Sequence, residues 1–207
     1  MPEISPIARS PIRPAVPAEV RFGWEVSALR SHAPLRLSDR SPLAKVLVRA
    51  SPHGRVADRL GVPVGRTRRD PQQTLIVGSG PGEWLLLAAP GVAAEVAARV
   101  DTGDDSLVSV LDFTHGRALM RLTGAAADKT LGKICAIDFS DPVTPDGAAF
   151  RSSVAKLATD VVRDDRAAVL SYLLHCERSS GQHLYDALLD AGREFGIEPD
   201  GFTHPEG

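Results

Sequence analysis

A chain of 207 residues, 43% hydrophobic and 24% charged, is long enough for one substantial domain, which at this size buries roughly 70% of its extended-chain surface. The formal net charge of −2 argues against a general nucleic-acid binder, which needs a basic surface to neutralise phosphates. No window approaches the roughly 18 uninterrupted apolar residues of a membrane span, and Met1 to Val20, broken by five prolines, has no apolar core for a secretory signal.

Those prolines fix φ and remove donors, so 1–17 is expected to run extended, as a tail or as an arm laid on a partner. The proline-rich arm is assigned to 1–20, a single α+β domain to 21–200 and a short tail to 201–207. Within the domain, Leu35 and Leu37 alternate in the 34–42 stretch, and Lys45 to Ala50 reads as a strand. Ser51-Pro52-His53-Gly54 is a turn. Arg55 to Leu60 reads as one helical turn ending at Gly61, and 63–71 as a loop exposing Arg66, Arg68 and Arg69.

Thr74 to Val77 and Trp84 to Ala88 are strands joined through Gly78 to Glu83. The spacing Gly78-x-Gly80-x-Gly82 suggests a phosphate cradle, but that chemistry needs a helix N-terminus directly after the loop. Glu83 and the apolar run Trp84 to Leu87 follow instead, so a hairpin is favoured. A helix is expected from Pro90 to about Val100, with Val92, Val96 and Val100 on one face. The 101–105 stretch is a charged loop.

Leu107 to Leu111 is apolar on both faces and reads as a buried strand, broken by turn-forming types from Asp112 to Gly116. Arg117 to Leu122 alternates as a half-buried strand would, with Ala118, Met120 and Leu122 opposite Arg117, Leu119 and Arg121. Thr123-Gly124 ends it. From Ala125 helical spacing takes over, with Leu131, Ile134 and Cys135 on one side and Asp128 near the positive end of the dipole. The 141–147 stretch is turn-rich, Val154 to Val162 is a strand, Asp164-Asp165 a turn and Val169 to Cys176 a strand. Ser179-Ser180-Gly181-Gln182 opens the last helix as a capping-box pattern, Leu184, Leu188, Ala191 and Phe195 form its buried stripe, and Gly196 ends it. The whole predicts an α+β fold, one mixed or antiparallel sheet with helices packed on it.

Candidate chemistry is sparse. His175 and Cys176 are adjacent with His183 near, but successive strand residues point to opposite faces and no Cys-x-x-Cys spacing occurs, so no metal site is expected. Cys135 and Cys176 read as packed, reduced thiols, which fits a cytoplasmic protein. No nucleophile elbow exists, and His115 reads as a turn residue. Asp186, Asp190 and Glu194, spaced by four on the last helix, form a solvated acidic face, with a basic partner surface as the second reading.

The set Asp112, Thr114, His115, Thr123 and Gly124 resembles the start of the folate-binding fold of glycine-cleavage aminomethyltransferases, where an Asp-x-Ser-His turn precedes a strand ending in Ser/Thr-Gly and a helix. The chain resembles more closely the gamma subunit of heterotetrameric sarcosine oxidase. It shares the wording of Asp112 to Arg117, the glycine-rich hairpin of Gly80 to Leu86, Glu177 to Ser179, and Glu194 to Gly196, in order from about Thr74 to Ile197. The resemblance implies a cytoplasmic complex that demethylates sarcosine to glycine with hydrogen peroxide and, with tetrahydrofolate, methylenetetrahydrofolate. It also implies alpha, beta and delta partner subunits, which carry the FAD, FMN, NAD, zinc and tetrahydrofolate. This chain would then hold no catalytic, cofactor-binding or metal-binding residue and would act in assembly, burying on the order of 2,000 Å² or more.

The alternative is a stand-alone folate-binding one-carbon transferase or regulator using Asp160. That residue sits in Ala158 to Val162, roughly where folate-dependent relatives place an Asp-Asp-Leu-Ile strand with the catalytic carboxylate. Here the acidic pair is reduced to one Asp. A third reading is a monomeric domain that binds a small ligand in a cleft.

Overall fold

Strand side chains alternate between faces, and along the central strands of this chain, such as Leu75–Gly80, Glu83–Ala88, Arg117–Gly124 and Ser171–Glu177, both alternating sets carry buried apolar residues, so the sheets must be covered twice. A computed structural model of the protein describes residues 6–100, 103 and 107–203. Three short strands come first, β1 (Ala8–Arg9), β2 (Ala18–Arg21) and β3 (Trp24–Ser27). They are followed by β4 (Leu35–Asp39), β5 (Ala44–Arg49), α1 (Arg55–Leu60), β6 (Thr67–Arg69), β7 (Leu75–Gly80), β8 (Glu83–Ala88), α2 (Ala93–Arg99) and β9 (Ser109–Asp112). A 3-10 turn at Thr114–Gly116 leads into β10 (Arg117–Gly124) and α3 (Ala127–Gly132). The chain closes with β11 (Ala149–Val154), β12 (Leu157–Arg163), β13 (Ser171–Glu177), α4 (Gly181–Gly192) and β14 (Ile197–Asp200).

The expectation of one sheet is corrected to two large sheets and a small one. The small sheet runs β1-β3-β2, the second β11-β12-β13-β10-β4-β14 and the third β6-β7-β8-β5-β9. Among the described residues the strand pairs are antiparallel, apart from β14 with β4 and β1 with β3. The large sheets face each other through Leu75, Val77 and Leu85 on one side and Leu119, Val162 and Leu173 on the other. Behind the six-stranded sheet, Met120, Leu122 and Leu174 pack against Leu131 of α3 and Leu188 of α4. Behind the five-stranded sheet, Val46, Ile76 and Leu86 pack against Leu60 of α1 and Val96 of α2. The layers are therefore helices, sheet, sheet, helices, with each fully buried Leu or Val contributing roughly 1.5–3 kcal/mol.

This layering explains several departures from the sequence reading. β10 is buried on both faces, not one, because Leu119 and Arg121 turn toward the second sheet. Val154 to Val162 is not one strand: Ala155 and Lys156, at φ of 48° and 66°, form a tight turn between β11 and β12. Leu107 and Leu111 are not buried but 94% and 49% exposed, since β9 lies at the edge of its sheet. The 63–71 loop contains β6, and α2 starts only at Ala93. The capping box does not form, because Ser180 makes no side-chain cap and Gln182 Oε1 accepts from the Arg13 backbone N–H at 2.7 Å. The charged loop at 101–105, apart from Gly103, lies outside the described residues.

From residue 6 onward the proline-rich segment is extended and lies on the chain's own body, with Ile12 only 1% exposed in the core under α4; 1–5 lie outside the described residues. Near the other end Phe202, also 1% exposed, joins the core between the sheets, and its N–H donates to Ser27 O at 3.0 Å. Among the described residues no helix is long and apolar enough to cross a membrane.

Candidate functional site

The stretch Asp112 to Arg117 carries the chain from the five-stranded sheet to the six-stranded one. Asp112 Oδ1 accepts from the Thr114 N–H at 2.9 Å, the turn that Asp favours locally. Thr114 Oγ1 in turn accepts from the Lys45 N–H at 3.1 Å, and the Phe113 N–H donates to Lys45 O at 2.7 Å. His115 stacks on Trp24 of β3, ring centroids 4.7 Å apart and 7° from parallel. Arg117 lies over the Phe113 ring and pairs with Glu177 at 2.9 Å. The motif therefore joins three sheets, and the side chains of Asp112, Thr114, His115 and Arg117 each make a contact that holds the chain in place.

A cleft opens beside it between the sheets. Its larger part, about 210 Å³, is bounded by Gly78 and Ser79 on one side and by Arg151, Asp160 and His175 on the other. A smaller lobe of about 100 Å³ adds Arg49, Glu83, Phe113 and Arg117. The register of β11, β12 and β13 sets Arg151, Asp160 and His175 side by side in one row across the six-stranded sheet. Asp160 is 7% exposed, and its two oxygens accept from Arg151 Nε at 2.7 Å and Nη2 at 3.2 Å. This bond holds the Arg151 guanidinium above its ordinary pKa.

His175 Nδ1 lies 3.4 Å from Asp160 Oδ2 without forming a hydrogen bond and has no other partner among the described residues. Burial drives the His175 pKa down to about 4, so the ring is neutral near pH 7. A fork-to-fork guanidinium pair satisfies a carboxylate strongly. The cleft thus presents an ion-paired acid and a neutral imidazole, in two lobes each smaller than the roughly 300 Å³ at which small-molecule pockets usually begin.

Among the other residues weighed from sequence, His175 and Cys176 do fall on opposite faces of β13, with Cys176 in the helix-side core. Both cysteines are buried and free, and burial pushes the Cys176 thiol up to about 11. His183 is exposed on α4. The acidic row on that helix is partnered within the chain: Asp186 by Gln182, Asp190 by Arg193 and Glu194 by Lys133. At Gly78 a Cβ would overlap the Pro63 carbonyl, so this glycine serves a close approach of the 62–66 segment, and its N–H donates to Arg66 O at 2.9 Å. Of the three arginines expected on a free loop, Arg69 instead pairs with Asp164 at 2.8 Å.

Three features escaped the sequence reading. Arg151 became visible as the partner of Asp160 only once the turn at Ala155 and Lys156 fixed the register. Asp164, read as half of a turn, is 8% exposed and joins Arg121, Arg69 and Arg166. Lys45 is fully buried, its Nζ donating to Ser41 O at 2.7 Å and Leu43 O at 2.8 Å, and burial lowers its pKa to about 7. A lone Lys within an apolar alternation gives no signal of such burial.

A family model described as the GCVT N-terminal domain matches residues 72–204. Sarcosine oxidase subunit gamma from Corynebacterium sp. (strain P-1) is 29% identical over 143 residues, 67% of this chain and 68% of that protein. An aminomethyltransferase from Geobacillus thermodenitrificans is 28% identical over 127 residues, which is 61% of this chain but only 34% of that protein. Among solved structures, a chain of heterotetrameric sarcosine oxidase from Corynebacterium sp. U-96 superposes with a TM-score of 0.69 at 25% identity, covering 83% of this chain and 90% of that one. Aminomethyltransferase T of the glycine cleavage system from Bartonella henselae shares the fold, with a TM-score of 0.64 at 16% identity, covering 89% of this chain and 55% of the other.

Proposed function

The chain belongs to the GCVT N-terminal domain family, and from that premise we propose that it is a non-catalytic, gamma-type subunit of a heteromeric sarcosine oxidase. The assembly demethylates sarcosine to glycine, with hydrogen peroxide and, given tetrahydrofolate, 5,10-methylenetetrahydrofolate as products. Its flavins, NAD, zinc and folate are held by alpha, beta and delta partners, and this chain contributes to assembly in the cytoplasm.

The observation that carries the reading is the state of Asp160. A carboxylate that receives a proton or steadies a cationic amine must offer a lone pair to the substrate. Here each oxygen already accepts a bond from Arg151, which offsets the carboxylate's charge, the group is only 7% exposed, and the neighbouring His175 is neutral at pH 7. The extent of the matches supports the same reading, since 90% of the sarcosine oxidase chain is covered but 55% of the aminomethyltransferase.

The test is expression of the chain alone and together with the flavin-bearing subunits of its own organism. The subunit reading expects stable co-purification with them. A well-folded monomer that ignores those subunits and binds tetrahydrofolate at micromolar concentration would establish the folate-transferase alternative instead.

A further inference from the structure

The five-stranded sheet ends at β9, and among the described residues no strand lies beyond it. The Phe113 N–H donates to Lys45 O, and the register pairs Leu47 with Leu111 and Val48 with Val110. Antiparallel ladders alternate bonded and non-bonded pairs, so Leu111 and Ser109 bond to β5 while the N–H and C=O of Val110 and Asp112 point outward. Exposed edges of this kind pair with other chains unless proline, charge, a bulge or a cover guards them.

Among the described residues the other edges are guarded. β14 carries Pro199 beside Glu198 and Asp200, β11 is met on its outer side by the 62–66 segment, where the Ala149 N–H donates to Gly65 O at 3.0 Å, β6 carries Arg68 and Arg69, β2 carries Glu19 and Arg21, and β1 is two residues long and carries Arg9. β9 reads Ser-Val-Leu-Asp, and its one charge, on Asp112, is turned back to cap Thr114. Leu111 stands 49% exposed on the face it shares with Leu47, and Leu107 just before the strand is 94% exposed.

We propose that β9 is the edge at which a partner subunit adds an extended strand to the five-stranded sheet, setting an apolar side chain beside Leu111. The inference rests on the subunit reading above. A partner subunit fits better than a second copy of this chain: a four-residue strand is roughly 14 Å long and buries a few hundred Å² at most, short of the roughly 1,200 Å² of a stable pair. Strand addition of this kind therefore belongs to a larger heteromeric contact, with backbone bonds fixing the register and the exposed Leu111 side chain favouring an apolar neighbour across the strand.

Hydrogen exchange on the free chain and on the co-purified complex reads the backbone directly. The Val110 and Asp112 amides should exchange at least tenfold more slowly in the complex, while Leu111, already bonded to β5, changes little. Val110→Pro removes an outward donor together with some Val110 packing on the helix-side core, and Leu111→Lys places a charge on the edge. Both should keep the free chain folded and cut capture of the partner subunits at least tenfold, with Val143→Lys, at a separate exposed site, as the unaffected control. If Val110→Pro fails to fold, Leu111→Lys and the exchange data decide. Capture at the native level with both amides unprotected overturns the edge assignment and leaves the subunit reading standing. Protection of the same amides in a homodimer of the free chain overturns it in favour of a second copy. If the native chain never joins the flavin-bearing subunits, the subunit reading fails, and this inference with it.

Discussion

Acidification should expose the burial of His175 as a loss of stability specific to that side chain. The ring is 5% exposed and its pKa is held at about 4, mainly by burial, against an ordinary 6.5. Arg117, Lys45 and Arg151 push in the same direction, and Asp160 opposes them. Because the folded pKa is depressed, the unfolded chain binds this proton first as pH falls. The group costs nothing above about pH 6.5, destabilises progressively as pH falls to about 4, and adds no further loss below that. At 1.36 kcal/mol per pKa unit the full effect is about 3 kcal/mol, a large share of a typical folding free energy. Urea unfolding at intervals from about pH 7 to about pH 4, on the native chain and on His175→Gln, isolates it from the titrating carboxylates. The native protein should lose about 3 kcal/mol more than the variant across that window. Curves that stay parallel to within about 0.5 kcal/mol would refute the reasoning, because the ring would then keep its ordinary pKa and the cleft would be open to water.

Two substitutions probe the packing that holds the cleft. Asp164→Asn removes the anion shared by Arg69, Arg121 and Arg166, and Arg121 is only 8% exposed. Breaking a buried pair from one side should cost about 3 kcal/mol, seen as a Tm drop of roughly 6–12 °C, and a drop under about 2 °C would contradict the cluster. Gly124→Ala places a Cβ on the Pro34 carbonyl oxygen at a φ of 145°. It should cost at least about 2 kcal/mol in urea unfolding, whereas a neutral result would mean that β4 and β10 part there at little cost.

The elements that could be read from sequence were those with a single exposed face or a clear stop. α4 shows its stripe at Leu184 and Leu188 because its other side meets water. The β7–β8 hairpin is marked by its glycines. The harder elements were those where tertiary layering overrides local pattern. β10 alternates as if half-buried, yet a second sheet covers Leu119 and Arg121. The turn at Ala155 and Lys156 has positive φ at both residues without the Asn-Gly wording that usually announces it. Two strands were therefore read as one, and Arg151 could not be paired with Asp160. The apolar run before Asp112 looked like core because an uncovered edge and a covered strand share one composition. Asp160 was singled out by the resemblance alone and read from its residues as a solvated carboxylate at a strand edge; it is 7% exposed on an interior strand, and neither its burial nor its guanidinium partner was legible.

The central claim is that the chemistry of the assembly does not pass through Asp160. It is tested most directly by Asp160→Asn in the intact complex, with folate-coupled turnover measured at saturating sarcosine and tetrahydrofolate. The account predicts kcat and kcat/KM within about twofold of the native complex. A fall of a hundredfold or more in kcat, with the complex still assembled, would place a catalytic carboxylate in this chain and contradict it.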